Sequence, residues 1–477
     1  KVEYVSVSPG FLSLGSLAPI VQEYMAYEHP SVTLDRFVTD MILLDGFLKQ
    51  RNIPYLAWNM CTPPKGMPAG DVNESLEFKM NWLKNNPRIV DFNFVGNIYL
   101  GENNAQLDTP GEAQFPLESR HYDKKDYHIL EKYLNNASPT GFESEGQKIW
   151  MDYLQPYVDT FITDTYGSAV GIINPDAPYK VVIEGHADEI SWYVNYITDN
   201  GLIYVVRNGG SDHQIAPSKR VNIHTKNGIV KGVFGWPAIH TRNRGKEEVA
   251  KVDNLFIDIG CETKDQVDKL GVHVGCVITY PDEFMILNEN KFVCRAIDNR
   301  MGGFMIAEVA RLLYENKIKL PFGLYITNSV QEEVGLRGAE MITKTIKPNV
   351  AIVTDVCHDS TTPMIEKKIE GDTKIGKGPV VTYAPAVQNN LRELILETAF
   401  AKEIPFQRLA SSRVTGTDTD AFAYSNGGVA SALISLPLRY MHTTVEMVHR
   451  DDVENVIKLI YETLLKLENE ETFSYFK

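Results

Sequence analysis

The sequence is poor in the features that mark disulfide-linked, membrane-spanning and nucleic-acid-binding proteins. Only 5 of its 477 residues are cysteine, and their scatter supports neither a disulfide framework nor a cysteine zinc site. No run approaches the roughly 18 apolar residues that a membrane helix needs. Basic residues number 47 against 62 acidic ones, and the net charge of −15 argues against a nucleic-acid partner. These absences favour a cytoplasmic protein without membrane or nucleic-acid partners.

What remains is the composition of an ordinary globular protein, with 43% hydrophobic and 23% charged residues. At roughly 150 residues per domain, the length predicts about three structural units. A polar stretch with two prolines at 102–120 is typical of a linker. It sets apart an N-terminal segment, 1–120, whose helical and strand-like patterns predict additional α/β structure. That segment groups no His, Cys and carboxylates in a catalytic pattern, so its role stays open.

Beyond residue 121 the hydrophobic pattern predicts an α/β domain with an insertion. Apolar strand patterns alternate with helical ones after residue 298, which predicts a mostly parallel sheet with helices on both faces. Between 192 and 292 the pattern changes to short Val-, Ile- and Tyr-rich runs broken by Gly, Asn and Asp. Such runs indicate a small inserted β-barrel or sandwich. The expected catalytic domain therefore comprises 121–191 plus 293–477, interrupted by an inserted β domain at 192–292.

Polar side chains of the kind that bind metals follow several of the predicted strands. They are His186 and Asp188, Asp298, the adjacent Glu332 and Glu333, Asp355, and His442. Each one alone is more often structural, since a lone Asp before a helix is usually an N-cap. In open α/β sheets, however, the carboxyl ends of the strands converge on one crevice. The repeated occurrence of these groups therefore favours a common site.

Two histidines and several carboxylates suit zinc, cobalt or manganese. A pair of ions also needs a carboxylate that bridges them. His186 and Asp188 can face the same side of an extended segment, so that one binds metal and the other orients it. The adjacent Glu332 and Glu333 point in different directions, so one can bind metal while the other handles protons. These residues alone do not assign the roles uniquely.

Several longer strings then carry a family resemblance. They are GHADEIS (185–191), AIDNRMGG (296–303), QEEVGLRGAE (331–340), VTDVCH (353–358), GTDTDAFAYSNGG (416–428) and LRYMHTTVEMV (438–448). In this order they resemble the glutamyl aminopeptidase family, the cytosolic, tetrahedral-type dinuclear metallo-aminopeptidases. The resemblance extends over about 124–470 and leaves 1–120 outside.

The resemblance implies two divalent ions per subunit, zinc or cobalt. It also implies their ligands: Asp298 bridging both, His186 and Glu333 on one ion, and Asp355 and His442 on the other. Glu332 would be the general base, and Asp188 would set the tautomer of His186. Related dinuclear peptidases hold a cis peptide after the bridging aspartate, so strain or a cis bond is expected between Asp298 and Asn299.

The expected activity is therefore removal of the N-terminal residue from peptide substrates by a metal-activated water. The resemblance also implies a homo-oligomer built from dimers through the inserted domain, such as a dodecamer, with that domain controlling substrate access. Two alternatives stay open: hydrolysis of another amide, in an N-acyl amino acid or at a polypeptide C-terminus, and a non-catalytic scaffold. The roles of Asp418, Asp420 and His240 are not assigned by the sequence.

Overall fold

The fold is described from a computed structural model that covers residues 127–243, 245, 247–470 and 472–476. The α/β structure expected within 1–120 lies outside the described residues. Among those that are described, no helix is both long enough and apolar enough to cross a membrane.

The helices are named here in chain order. They are α1 (Tyr127–Asn135), α2 (Ser144–Leu154), α3 (Lys264–Lys269), α4 (Ile297–Glu315), α5 (Arg337–Ile346), α6 (Lys367–Glu370), α7 (Asn389–Ala401), α8 (Asp418–Ala423) and α9 (Arg450–Lys466).

The strands are named in the same way. They are β1 (Thr160–Thr163), β2 (Ala169–Ile173), β3 (Lys180–His186), β4 (Ser191–Ile197), β5 (Ile203–Asn208), β6 (Arg220–Thr225), β7 (Gly228–Phe234), β8 (Phe256–Asp258), β9 (Val277–Thr279), β10 (Met285–Leu287), β11 (Lys291–Cys294), β12 (Gly323–Ser329), β13 (Val350–His358), β14 (Val380–Tyr383), β15 (Gln407–Ala410), β16 (Ala430–Leu438) and β17 (Glu446–His449).

The largest sheet has eight strands in the order β1-β2-β12-β3-β13-β16-β14-β15. Its four central strands, β12, β3, β13 and β16, pair in parallel, whereas the flanking pairs β1–β2, β2–β12 and β16–β14 are antiparallel. The central strands are buried almost throughout. Their sequences are therefore continuous apolar runs rather than alternating apolar and polar residues. The predicted mostly parallel sheet is therefore confirmed.

Helices cover both faces of this sheet. Val182 of β3 packs in a cluster with Ile342 of α5 and Phe422 of α8. Gly185, three residues further along the same strand, faces the opposite side and lies against α4. A Cβ added at Gly185 would come within 2.8 Å of the backbone of Gly302, so the glycine lets α4 approach the sheet closely. This contact brings the start of α4 to the carboxyl ends of the central strands.

A closed barrel, in the order β4-β5-β8-β7-β6-β9, lies between β3 and β11 along the chain. Its interior is apolar and includes Trp192, Ile223, Phe234 and Ile257, all almost fully buried. The inserted barrel expected from the sequence is thereby confirmed. Strand β11 pairs with β10 on one side and with β17 on the other, in a separate three-stranded sheet. The exact domain boundaries within the chain stay predictions.

Candidate metal centre

The residues expected to bind metal meet at one edge of the large sheet. His186 ends β3, Asp355 lies within β13, and His442 follows β16. Glu332 and Glu333 lie in a short 3-10 turn, Glu332–Val334, directly after β12. Asp298, in the first turn of α4, reaches the same place because α4 packs against β3, β12 and β13. The convergence expected from strand ends is present.

Asp298 lies at the middle of the cluster. Its Oδ1 lies 3.3 Å from His186 Nε2, and its Oδ2 lies 3.3 Å from His442 Nε2. One carboxylate therefore offers one oxygen to each histidine, which is the arrangement that a bridging ligand needs. The peptide bond between Asp298 and Asn299 is cis, which is one of the two outcomes expected from the sequence.

Two groups of ligand atoms share Asp298. In one group, atoms of His186, Asp298 and Asp355 lie within 4.8 Å of one another, and in the other, atoms of Asp298, Glu333 and His442 do so. The pairing implied by the resemblance placed Glu333 with His186 and Asp355 with His442. A third group joins His186 to Glu332 and Glu333, so the assignment of ligands to each ion stays a prediction. The distances nevertheless favour the other pairing, because β3 and β13 are neighbouring strands, which brings His186 next to Asp355. His442 Nε2 instead lies 3.4 Å from Glu333 Oε2.

Glu332 lies beside this cluster. Its Oε2 lies 3.7 Å from His186 Nε2, and its side chain is 11% exposed. The cluster opens to solvent on one side, since the His442 side chain is 33% exposed and that of His186 only 2%. Glu332 is therefore close enough to the shared ligands to exchange protons with a small molecule there.

Asp188 supports the turn that carries the two glutamates. Its carboxylate accepts the backbone N–H groups of Glu332 at 3.0 Å and Glu333 at 3.2 Å, and the Thr140 hydroxyl at 2.8 Å. Its Oδ1 also lies 3.3 Å from His186 Nδ1, the nitrogen that does not face Asp298. A carboxylate at this nitrogen fixes which nitrogen of the imidazole is free to bind a metal.

The cluster contains more buried carboxyl groups than basic side chains, and this imbalance changes their pKa values. Burial raises the pKa of Asp355 to about 8, and burial with repulsion from Asp355 and other acids raises the pKa of Glu332 to about 10. Burial likewise raises the pKa of Glu333 well above its usual range. Burial also opposes ionisation of Asp298, but hydrogen bonds to His186 and His442 outweigh it and hold this pKa low. This excess of acidic groups fits divalent cations, which would remove the repulsion.

The donor set supports the same conclusion. It consists of imidazole nitrogens and carboxylate oxygens without a thiolate, which suits zinc, cobalt or manganese. For His186, burial opposes protonation, yet hydrogen bonds to Asp188 and Asp298 raise its pKa. A cation bound between His186 and Asp298 would take the place of that proton.

The residues left unassigned by the sequence have separate places. Asp418 is buried, and the Ser329 hydroxyl lies within hydrogen-bonding distance of both Asp418 and Glu184, although its one hydrogen can be donated to only one of them. Asp420 instead caps its own loop, accepting the backbone N–H groups of residues 415 and 416. His240 is exposed in the loop between β7 and β8 and belongs to none of the described ligand groups.

Two buried glutamates near the site, Glu143 and Glu446, are not indicated by the sequence pattern. Glu143 accepts the backbone N–H of Gln331 at 3.3 Å, just before the Glu332–Val334 turn. Glu446 accepts the backbone N–H groups of Asp298 and His442. Their partners are backbone groups, which leave no trace in the residue pattern. For Glu446, the signal in the sequence was its position four residues after the predicted metal ligand His442.

Comparisons with known proteins agree with this geometry. The model of the M42 glutamyl aminopeptidase family matches residues 167–459. A lysyl aminopeptidase from Pyrococcus furiosus is 32% identical over 337 residues, which cover 70% of this chain and 95% of that protein. The structure of a TET aminopeptidase from a marine sediment archaeon of the Thaumarchaeota has a TM-score of 0.70 and 29% identity, covering 74% of this chain and 99% of the other. A TET1 peptidase from Pyrococcus horikoshii, which can assemble into a tetrahedron or a large octahedral shell, has a TM-score of 0.64 and 25% identity, covering 71% and 99%.

Proposed function

Because the chain belongs to the M42 glutamyl aminopeptidase family and is a hydrolase of peptide bonds, we propose that it removes N-terminal residues from peptides at a dinuclear metal centre around Asp298. The observation that carries the proposal is the position of Asp298 between His186 and His442, with one oxygen 3.3 Å from each. The same carboxylate belongs to two separate ligand groups.

The chain's own residues define where two ions would bind. His186, Asp298 and Asp355 would hold one ion, and Asp298, Glu333 and His442 the other. When bound, a pair of divalent cations, zinc or cobalt, supplies a water of lowered pKa and polarises the scissile carbonyl. Asp188 keeps His186 in the orientation that presents Nε2 to the centre, 3.3 Å from Asp298.

Glu332 is the proposed general base. It would accept a proton from the attacking water at its carboxylate and later deliver that proton to the leaving amine. Two features support this role. Asp188 accepts the backbone N–H of Glu332 and Glu143 accepts that of the preceding Gln331, so the start of the turn is held in place. Glu332 is also absent from both ligand groups that contain Asp298, although it forms a third group with His186 and Glu333. Its Oε2 lies 3.7 Å from His186 Nε2, next to the proposed centre.

The proposal also includes the oligomeric state of the protein and its location in the cell. The named relatives include a peptidase that forms closed shells, which supports a homo-oligomer built from dimers, such as a dodecamer, for this chain. The inserted barrel is the proposed element of dimer formation and substrate access. A cytoplasmic location, expected from the low cysteine content, stays a prediction.

Hydrolysis of free and N-acetylated versions of one dipeptide tests the substrate class. An aminopeptidase cleaves the free dipeptide and rejects the acetylated one, whereas a deacylase or carboxypeptidase shows the reverse preference. Chelation should abolish the activity, and added zinc or cobalt should restore it. A metal-loaded protein that cleaves no member of a broad peptide panel would support the scaffold alternative instead.

A further inference from the structure

Glu446 lies at the point where two parts of the metal centre meet. Strand β17, which begins at Glu446, pairs antiparallel with β11, and Cys294 is its partner in the register. Strand β11 leads within four residues to Asp298, and the loop before β17 carries His442. The strand pairing therefore places one side chain between the backbone of the proposed bridging ligand and that of a terminal ligand.

The carboxylate of Glu446 makes one hydrogen bond to each of these ligand residues. Its Oε2 accepts the backbone N–H of Asp298 at 3.0 Å, and its Oε1 accepts the backbone N–H of His442 at 2.7 Å. Only 2% of Glu446 is exposed, so water does not replace these bonds readily. Hydrogen bonds in such a buried place are electrostatically stronger than the same bonds in water.

The backbone around His442 needs such support. Both Tyr440 and His442 have positive φ angles, 62° and 60°, which residues with side chains adopt infrequently. The loop between β16 and β17 is therefore held by tertiary contacts rather than by its own preference. The bond from the His442 N–H to Glu446 is one such contact, and it lies directly at the ligand residue.

We propose that Glu446 is a positioning residue that fixes the separation of Asp298 and His442 and thereby the affinity of the metal site that these two share with Glu333. The proposal rests on the proposed function, since it assumes that these residues bind metal. The site of His186 and Asp355 depends on Glu446 only through Asp298, so it should be affected less.

The Glu446→Gln variant tests this role with almost no change in shape. A carboxylate has two acceptor oxygens, whereas an amide has one oxygen and an NH2 group that only donates. The variant can therefore accept only one of the two backbone N–H groups and leaves the other unpaired. Glu462→Gln is the matched control, because Glu462 is equally buried at 2% but pairs with Lys402, at 2.8 Å, away from the cluster.

The measurement is a titration of metal-free protein with cobalt(II), followed by calorimetry and by the visible absorption of the bound ions. Wild type and Glu462→Gln should bind two ions with the same spectrum. Glu446→Gln should bind one of the two ions about 10- to 100-fold more weakly, the range expected for groups that hold metal ligands. Its cobalt spectrum should change as well, which a loss of general stability would not cause.

Two outcomes would contradict the proposal in distinguishable ways. Wild-type cobalt affinity and spectrum in a folded Glu446→Gln variant would overturn the role of Glu446 alone. A wild-type protein that binds no cobalt would overturn the proposed function together with this inference. If Glu446→Gln does not fold, Glu446→Asp replaces it, because the shorter carboxylate keeps its charge but cannot reach both N–H groups. Unchanged cobalt binding in that variant would also overturn the proposal.

Discussion

Two buried clusters of charged side chains lie near the start of α4, and they balance their charge in different ways. In the first, Glu189 lies 3.3 Å from Arg295 and 3.9 Å from Arg300. The two arginines also donate to backbone carbonyls, among them those of Tyr133 and Leu134 in α1. This cluster contains its own cations, and all its members are almost fully buried.

The second cluster is the candidate metal centre, which combines four carboxylates with two histidines as its basic side chains. Burial raises the pKa of Asp355 to about 8 and that of Glu332 to about 10, so these groups resist ionisation in the chain alone. The comparison teaches that burial by itself does not indicate function. A buried charge cluster with basic side chains to balance its carboxylates supports the fold, whereas a buried cluster with more carboxylates than basic side chains is a candidate for binding divalent cations.

The largest expected effect concerns the proton-handling carboxylate of the second cluster. Glu332→Gln should lower kcat by about 10²- to 10⁴-fold, because an amide cannot accept the proton of the attacking water. Metal content should stay unchanged. Glu340→Gln, which alters an exposed glutamate 3.4 Å from Arg337, is the control and should keep wild-type kcat. Near-normal turnover in Glu332→Gln would remove Glu332 as the base.

The next effect concerns the first cluster. Arg295→Met should destabilise the protein by about 3–5 kcal/mol, because it leaves Glu189 buried beside a weaker partner. The loss should be the same in metal-loaded and metal-free protein, measured by urea unfolding. Arg337→Met, at an exposed pair with Glu340, should cost at most about 1 kcal/mol. A loss that appears only in metal-loaded protein would contradict the separation of the two clusters.

A substitution in the metal centre should instead raise the stability of the metal-free protein, by a smaller amount. Asp355→Asn removes one buried negative charge, so it should stabilise metal-free protein by about 1 kcal/mol or more at pH 9. The same variant should bind metal more weakly, since Asp355 is one of the three ligand residues in the group with His186 and Asp298. Calorimetric melting of both forms measures the two signs. Destabilisation of the metal-free form would show that other side chains already balance the negative charge of Asp355.

The smallest expected effect is a pH dependence of metal-free protein. An aspartate in the unfolded chain has a pKa near 4, whereas burial raises the pKa of Asp355 to about 8. Between these values the folded protein binds a proton that the unfolded chain has lost, so stability falls as pH rises through this window. The melting temperature should drop by a few degrees from pH 6 to pH 9. Bound metal should remove this slope, and a persisting slope would contradict the account.

The sequence could predict that most of these residues meet, because those from β3, β12, β13 and β16 lie near or after the ends of parallel strands, which share one edge. Asp298 reaches that edge differently, from the start of α4 after β11, a strand of the separate sheet. The sequence was not sufficient to predict which of these ligands lie next to each other. Neighbouring positions of β3 and β13 bring His186 to Asp355, and strand order is decided by long-range packing. The 3.4 Å contact between Glu333 and His442 depends on the loop after β16, whose path no local pattern indicates.

The same limit explains the other omissions. The pairing of β11 with β17 joins residues 291–294 to 446–449, a long-range contact that no local pattern indicates, and the predicted boundary between 292 and 293 therefore divides β11. Glu143 and Glu446 act on backbone N–H groups, which every residue except proline carries. Their roles become visible only when the chain has folded around them.

The most direct test of the central claim is a crystal structure of zinc-loaded protein with anomalous diffraction measured at the zinc absorption edge. The account predicts two anomalous peaks on either side of Asp298, about 3.5–4 Å apart, one next to His186 and Asp355 and the other next to Glu333 and His442. A zinc-loaded protein with one peak, or with peaks away from Asp298, would contradict it.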